Sequence, residues 1–588
     1  MKKYFLIVVF FLVGETLCFS QQKKELKKDS IKTQIIEVET AYNPKIAEAN
    51  KIKEKPTIAL IDKRKKRKLI YAIFSAPVAS TFIPKSGVAK QINIGVKERV
   101  YNNFLALGYG NFNTPYLETY LHNYTRFQTE FGFSAKYIAS IDNISNTVLD
   151  SDFSNLNAAV FYKKETRHFD WKVTVSGAQN NYNWYGINPV NFNENILNNI
   201  KENQNYNSLN IKGDINFFDS YLENSELLLS YFSDANKSAE YIFKLETDLE
   251  LPLSFINRNL NTLTIDTKVE YLSGAFENNY IDLNNVNYSL FTLAIKPEYT
   301  FAIGGFHYKL GVNFFAAFDT ENEVNHFLMY PNIQIQKSLM KERLTVYAGV
   351  FGDLQTNSYQ KYSEQNPFIS PTQFITQTNQ KYNAFLGLSG LFHKKLSYSI
   401  SLNAKEEQDK PLFVKNYSKS DGSTDNNNGA PIKGYEYGNS FSVVYDDVKT
   451  LTIEAEAAYE ISRNFLISSD IKFDNFSLTR EAFAWNLPNL QATLSGNYAS
   501  KKWYAGTSIF LIGTRKEISY SGNSFNRNGN INVNAFVDVN LNGGYHFSDK
   551  FTAFVKMNNV LNNSYERFSN FNVQGFQILG GLTYKFDF

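Results

Sequence analysis

The side chains that could do chemistry are few and widely scattered. The 6 histidines are His122, His168, His307, His326, His393 and His546, and no two have the close spacing of a metal-binding pair. His307 falls in a row of polar residues, where a hydrogen-bonded imidazole is the plain reading. Hydrolysis would need Ser, His and Asp, or two carboxylates, gathered in space, and no motif suggests it. Asp421–Gly429 has a slight likeness to a calcium loop, with Glu436 at the twelfth place counted from Asp425. Its Gly falls one place early, so a solvated loop is the better reading. These residues predict no enzyme, no metal site and no cofactor. Charge is more distinctive: Lys63, Arg64, Lys65, Lys66, Arg67 and Lys68 form an unbroken basic run. Such a run is a solvated tail, or a stripe that meets lipid phosphates or an acidic partner at a membrane.

The segment that carries this run begins with an export signal. Lys2 and Lys3 precede an apolar stretch, Tyr4–Val13, and Cys18 and Ser20 suit cleavage between Ser20 and Gln21. Residues 1–20 are therefore predicted to be a signal peptide. Leu17 is too bulky for a lipidation site at Cys18. Cys18 is the only cysteine, so the cleaved chain has no disulfide and no thiolate chemistry. Residues 21–68 carry 15 Lys or Arg against 7 Asp or Glu, although the 588-residue chain is only +3 overall. With 60 basic and 57 acidic residues, a nucleic-acid partner is not expected. Residues 21–96 read as a basic periplasmic leader, partly disordered or inserted in a lumen.

From residue 97 to 588 the pattern has period 2. In Phe306–Asp319, Phe306, Tyr308, Leu310, Val312 and Phe314 share one face, and His307, Lys309, Gly311 and Asn313 the other. Leu263–Tyr271, Leu451–Tyr459 and Val533–Leu541 alternate in the same way. A helix would mix the two sets, so helix is rejected. Aromatic residues make up 16% of the chain, too many for disorder. No apolar block reaches the roughly 20 residues of a helical membrane span. The runs are longer than the usual soluble strand of about five or six residues. Tight turns near 340–343, 393–395, 462–464, 500–502 and 548–550 alternate with long polar connections near 358–377, 406–436, 477–487, 514–532 and 559–573. Residues 437–460 keep one alternation phase through Phe441, Val443, Tyr445, Leu451 and Ile453, and read as one strand. The expected fold is all-β: a transmembrane antiparallel up-and-down barrel of about 22 strands in the bacterial outer membrane, contacting lipid and lipopolysaccharide.

The last strand ends Leu582, Tyr584, Phe586, Phe588 on one face and Thr583, Lys585, Asp587 on the other. A lipid-facing aromatic row suits barrel closure and reads as a barrel assembly signal. Phe554–Tyr565 and Gly580–Phe586 resemble the final hairpin, "N-L-x-N-x-x-Y" then "G-L-x-Y-x-F", of TonB-dependent outer-membrane receptors. The resemblance implies a receptor barrel for solute uptake. Such receptors carry a plug of well over a hundred residues in the lumen, and 21–96 is too short for one, so a plugless member is expected. Ile35–Thr40 is slightly similar to the segment that engages TonB, with a short local strand as the alternative. A lumen this wide needs a block: the leader, folded-in loops or a partner protein. Two roles follow. One is solute transport. The other is a structural subunit of an outer-membrane complex, with partners at the periplasmic face.

Overall fold

A computed structural model describes residues 100–588, apart from 126–127, 146, 259, 283, 342, 425–430 and 521–526. Ser20, Gln21, the run Lys63–Lys68 and the leader lie outside the described residues.

The alternating runs form strands β1 (Asn103–Gly110), β2 (Thr114–Thr125), β3 (Thr129–Ser140), β4 (Phe153–Glu165), β5 (Phe169–Asn183), β6 (Asn203–Phe217), β7 (Leu222–Asp234) and β8 (Ala239–Pro252). They continue as β9 (Thr262–Phe276), β10 (Val286–Ile303), β11 (Phe306–Asp319), β12 (Val324–Ser338), β13 (Thr345–Gln355), β14 (Thr378–Phe392), β15 (Leu396–Lys415), β16 (Phe441–Ser462) and β17 (Phe465–Leu478). The last are β18 (Leu490–Ala499), β19 (Trp503–Ile512), the hairpin β20 (Arg515–Tyr520) and β21 (Arg527–Val533), β22 (Phe536–His546), β23 (Phe551–Asn558), the short pair β24 (Glu566–Phe568) and β25 (Phe571–Asn572), and β26 (Gln577–Phe586). Among the described residues two α-helical segments interrupt them, α1 (Glu194–Leu197) and α2 (Tyr359–Gln365).

Twenty-two of these strands make one antiparallel sheet. It closes because β1 pairs with β26, from Asn103↔Phe586 to Gly110↔Leu579. Closure satisfies every sheet edge, which hydrocarbon demands. At the seam a Cβ on Gly581 would overlap the Phe554 ring and the Leu107 carbonyl, so only glycine lets the two strands and that ring meet.

The apolar faces form a continuous girdle. Phe133, Val160, Val175, Ile211, Leu229, Phe243 and Tyr271 stand opposite one another in successive strand pairs. All are exposed, with no protein covering them. So large an apolar belt is not left in water, and hydrocarbon is its solvent. The barrel is an integral outer-membrane fold. No helix among the described residues is long and apolar enough to cross a membrane.

Two sequence expectations need correcting. The first is the phase of β16. Phe441 and Val443 are buried in the loop core, whereas Leu451 and Ile453 face out, and Val448, Thr450 and Thr452 take over the buried row. A register shift opposite, between Glu407 and Lys410, marks the break. The second is the long connections. β15 continues past 406 as far as Lys415 because Lys410–Lys415 keeps pairing with Phe441–Asp446 beyond that irregularity. The region 514–532 is largely a hairpin, and 358–377 contains α2.

Candidate functional site: a lid in the barrel mouth and the cleft beneath it

Segment 356–377 joins β13 to β14. It turns inward because it is aromatic. Ser358 starts α2 by accepting a hydrogen bond from the Lys361 amide (3.1 Å). The wall supplies the rest of the cap. Glu240 on β8 accepts from the amides of Tyr359 (2.6 Å) and Gln360 (3.1 Å) and from the Tyr288 hydroxyl (2.7 Å). A carboxylate suits the positive end of a helical turn. The Tyr359 ring packs edge-on against Phe276 (4.9 Å) and Phe232 (5.3 Å), and its hydroxyl donates to Asp234 (2.8 Å). Burial, then Asp234, pushes the Tyr359 phenol well above its usual pKa. Thr356 donates to Glu270 (2.9 Å), and the Tyr206 hydroxyl donates to the Pro367 carbonyl (2.9 Å). Tyr206, Phe232, Glu240, Glu270, Phe276 and Tyr288 belong to the lumen rows, since their neighbours Tyr231, Tyr241 and Tyr271 face out. Residues 356–377 therefore form a lid seated in the mouth.

A crown of loops covers it. Phe368 stacks on Phe571 at 3.9 Å, within a cluster that includes Trp184, Tyr280, Tyr435, Phe441 and Phe568. The Trp184 indole donates to the Phe368 carbonyl (3.2 Å). A Cβ on Gly186 would overlap the Phe571 ring, so the chain needs glycine there. The β20–β21 hairpin is pinned through Glu517, which is fully buried and accepts from the Lys415 amide (3.1 Å), the Ile518 amide (2.8 Å) and Asn486 (2.6 Å). Burial raises the Glu517 carboxyl above the usual range. The Lys415 ammonium donates to the carbonyls of Gly186 and Ser569, both at 3.2 Å. Arg515 donates to the carbonyls of Glu566 (2.8 Å) and Arg567, and burial lowers its pKa. Sequence reasoning missed these residues. The aromatic content of 358–377 (Tyr359, Tyr362, Phe368, Phe374) was the available signal, being too apolar for a solvated loop.

Under the lid lie two adjoining cavities of about 460 and 480 Å³. They share Lys136, Asn157, Ala178, Ser208, Gln360 and Glu364. Small wall residues (Ser134, Ala159, Ser176, Ala178 and Ser208) leave the space, and α2 roofs it. The wall elsewhere is committed to itself. Lys212 pairs with Glu226 (2.8 Å), Lys309 with Glu298 (2.6 Å) and Lys381 with Glu406 (3.0 Å).

The predicted site residues stay apart. Leu582 and Tyr584 face outward on β26, and Phe588 is exposed just beyond it. His122 lies 3.4 Å from Glu130, while His546 lies 2.8 Å from the Thr552 hydroxyl. His307 lines another stretch of the lumen wall. Glu436 pairs with Lys419 (2.6 Å), and residues 425–430 of that loop lie outside the described residues. Glu454, Glu456 and Asp470 bring carboxylate oxygens within 4.8 Å of one another and could hold a cation. Exposed acidic groups of this kind are common without one.

No family model matches the sequence, and no curated protein matches it. Solved structures do. The ferripyoverdine receptor of the outer membrane of Pseudomonas aeruginosa superposes with a TM-score of 0.60 at 12% identity, covering 83% of this chain and 72% of that chain. The outer-membrane receptor fold is shared. The siderophore receptor PirA from Acinetobacter baumannii gives 0.58 at 12% identity over 82% of this chain and 80% of that one. The copper transporter OprC gives 0.57 at 13% identity over 82% and 80%. The barrel likeness first seen in the final hairpin thus extends over most of the chain.

Proposed function

We propose that this protein is a solute-uptake barrel of the TonB-dependent receptor type, without a full plug, in which residues 356–377 gate the loop end. The observation that carries the reading is the lid itself. It is a segment seated in the mouth by side-chain hydrogen bonds and capped by Glu240, above a cleft of ligand size. A gate of this kind opens when a ligand binds the open state more tightly than the closed one. By the rule for such barrels the long loops are extracellular and the tight turns periplasmic. The basic run Lys63–Lys68 then meets lipid phosphates or a periplasmic partner, and the row Leu582, Tyr584, Phe586, Phe588 guides assembly.

One observation favours a second reading, a structural subunit of an outer-membrane complex. At the loop end, Val190 is 89% exposed and Ile281 68% exposed, on loops otherwise packed into the crown. A sealed crown with apolar side chains facing outward suits a docking face.

Planar-bilayer recordings separate the two. The full chain should be nearly silent, and a variant with 359–375 replaced by a Gly-Ser linker should show large, stable conductance steps. A wild-type barrel that is already conductive removes the lid from its role. Silence from both proteins overturns the gate and favours the docking subunit.

A further inference from the structure

Barrel closure pairs β1 with β26, yet the strands of the wall differ in height. β12 pairs with β11 from Lys337↔Phe306 up to Val324↔Asp319, but with β13 only from Ser338↔Thr345 to Asn332↔Phe351. There β13 leaves the wall to deliver the lid. Pro331, which has no N–H to offer a ladder, stands at the parting. A Cβ on Gly352 would overlap the Tyr330 side chain, so β13 runs close against that ring. Beyond it, Leu354 is buried with Phe315, Ala317 and Tyr330, and Asp353 reaches Lys296 on β10 (3.2 Å). The result is a step. Val324–Met329 has β11 on one side and no strand on the other.

The step stands above the hydrocarbon. β11 and β12 have 14 and 15 residues, and roughly 9–11 cross a membrane. An edge of this kind is normally blunted or covered. On β22 it is covered: the Val560 amide donates to the Val539 carbonyl (2.9 Å), and Asn563 donates to the Val537 carbonyl (3.1 Å). Among the described residues, no backbone hydrogen bond from another segment reaches the open side of Val324–Met329. The row Val324, Asn325, His326, Phe327, Leu328, Met329 holds no Lys, Arg, Asp or Glu, and no glycine or proline to spoil pairing. Phe327 is 77% and Met329 70% exposed, against 54% for Val160 in the girdle, because no strand flanks them. Lipid covers such side chains but not backbone groups, and water does the reverse. An added strand satisfies both at once.

A second copy of the chain is a poor occupant. Barrels in one membrane share one up–down sense, so a two-fold axis between them lies along the membrane normal. Two β12 strands related by that axis run the same way and present the same edge, whereas parallel pairing joins opposite edges. Glu321 and Glu323, in the turn that adjoins the step, are exposed, so a cation at the end of the incoming strand complements them. We infer that Val324–Met329 is a docking edge for an extended segment of another protein. The segment adds antiparallel to β12, with apolar side chains beside Phe327 and Met329 and a basic residue at its C-terminal end. This holds whether or not the barrel conducts solute.

The test titrates a fluorescent peptide, Thr-Val-Thr-Val-Thr-Val-Lys, against the full chain in lipid nanodiscs, where lipid competes for the same patch. The peptide should bind, and infrared spectra of its carbon-13 carbonyls should report a strand. Two further peptides carry N-methyl groups at alternate residues, in the two possible phases. One should bind at least about ten-fold more weakly, having lost the donors that face β12, and the other about as tightly as the parent. Phe327→Lys, a charge of the kind that blunts natural edges, should weaken the parent about ten-fold. A peptide ending in Glu should bind several-fold more weakly at low salt, and equal binding would remove the basic end from the inference. Circular dichroism checks folding; where Phe327→Lys does not fold, the methylated pair on the wild-type barrel decides alone. No binding, equal affinities of the two methylated peptides, unchanged binding to folded Phe327→Lys, or a dimer of the barrel that Phe327→Lys dissolves would each overturn the docking edge.

Discussion

Glu240 holds three hydrogen bonds where almost no water reaches, at 1% exposure. Glu240→Ala would strand two amides of α2 and the Tyr288 hydroxyl. Each stranded buried donor costs about 1–3 kcal/mol. The lid should then open more often, with hydrogen exchange of amides 359–369 rising at least ten-fold while the barrel strands keep their protection. Unchanged exchange would show that the aromatic contacts alone seat the lid. This site was hidden in the sequence for a definite reason. Period 2 places Glu240 on the lumen side of β8, but says nothing about which lumen carboxylate meets a loop more than a hundred residues later. Lys415 and Glu517 were hidden because both belong to stretches read as long polar connections.

Strands were legible because hydrocarbon and water impose opposite demands on alternate residues. That pressure stops at the membrane surface. It accounts for the correct reading of Phe306–Asp319 as one strand, and for the failure at Phe441–Tyr445, where the same alternation turns inward to meet the lid. The closing strand offers a direct test of facing. Leu582 points to lipid opposite Leu107 and Ala553, whereas Lys585, on the other row, faces the lumen. A lysine on the lipid face costs roughly 2–4 kcal/mol near the midplane. Leu582→Lys should therefore lower the yield of folded, membrane-inserted barrel several-fold, and Lys585→Glu should not. Equal insertion of the two variants would mean that the outer row of β26 does not guide assembly.

The molecule combines two solvents. The girdle is stabilised by hydrocarbon, and the crown, outside the membrane, has a hydrophobic core of its own, packed from segments distant in sequence. These parts should fail under different stresses, and alkali distinguishes them. Burial holds the phenols of Tyr280 and Tyr359 well above the usual range, with Glu436 adding to the effect on the first and Asp234 on the second. An unfolded tyrosine ionises near pH 10. The folded crown therefore prefers the protonated form. The contribution of these two phenols is constant below about pH 10 and is lost as pH rises further, because the unfolded state ionises first. Between pH 10 and 12, absorbance at 295 nm should show exposed tyrosines titrating at once and a buried group following slowly. The slow phase should coincide with loss of exchange protection in 356–377, while the far-ultraviolet β signal persists. If all the tyrosines titrate at once, the crown is not a cooperative unit, and the lid is open often enough to be no barrier.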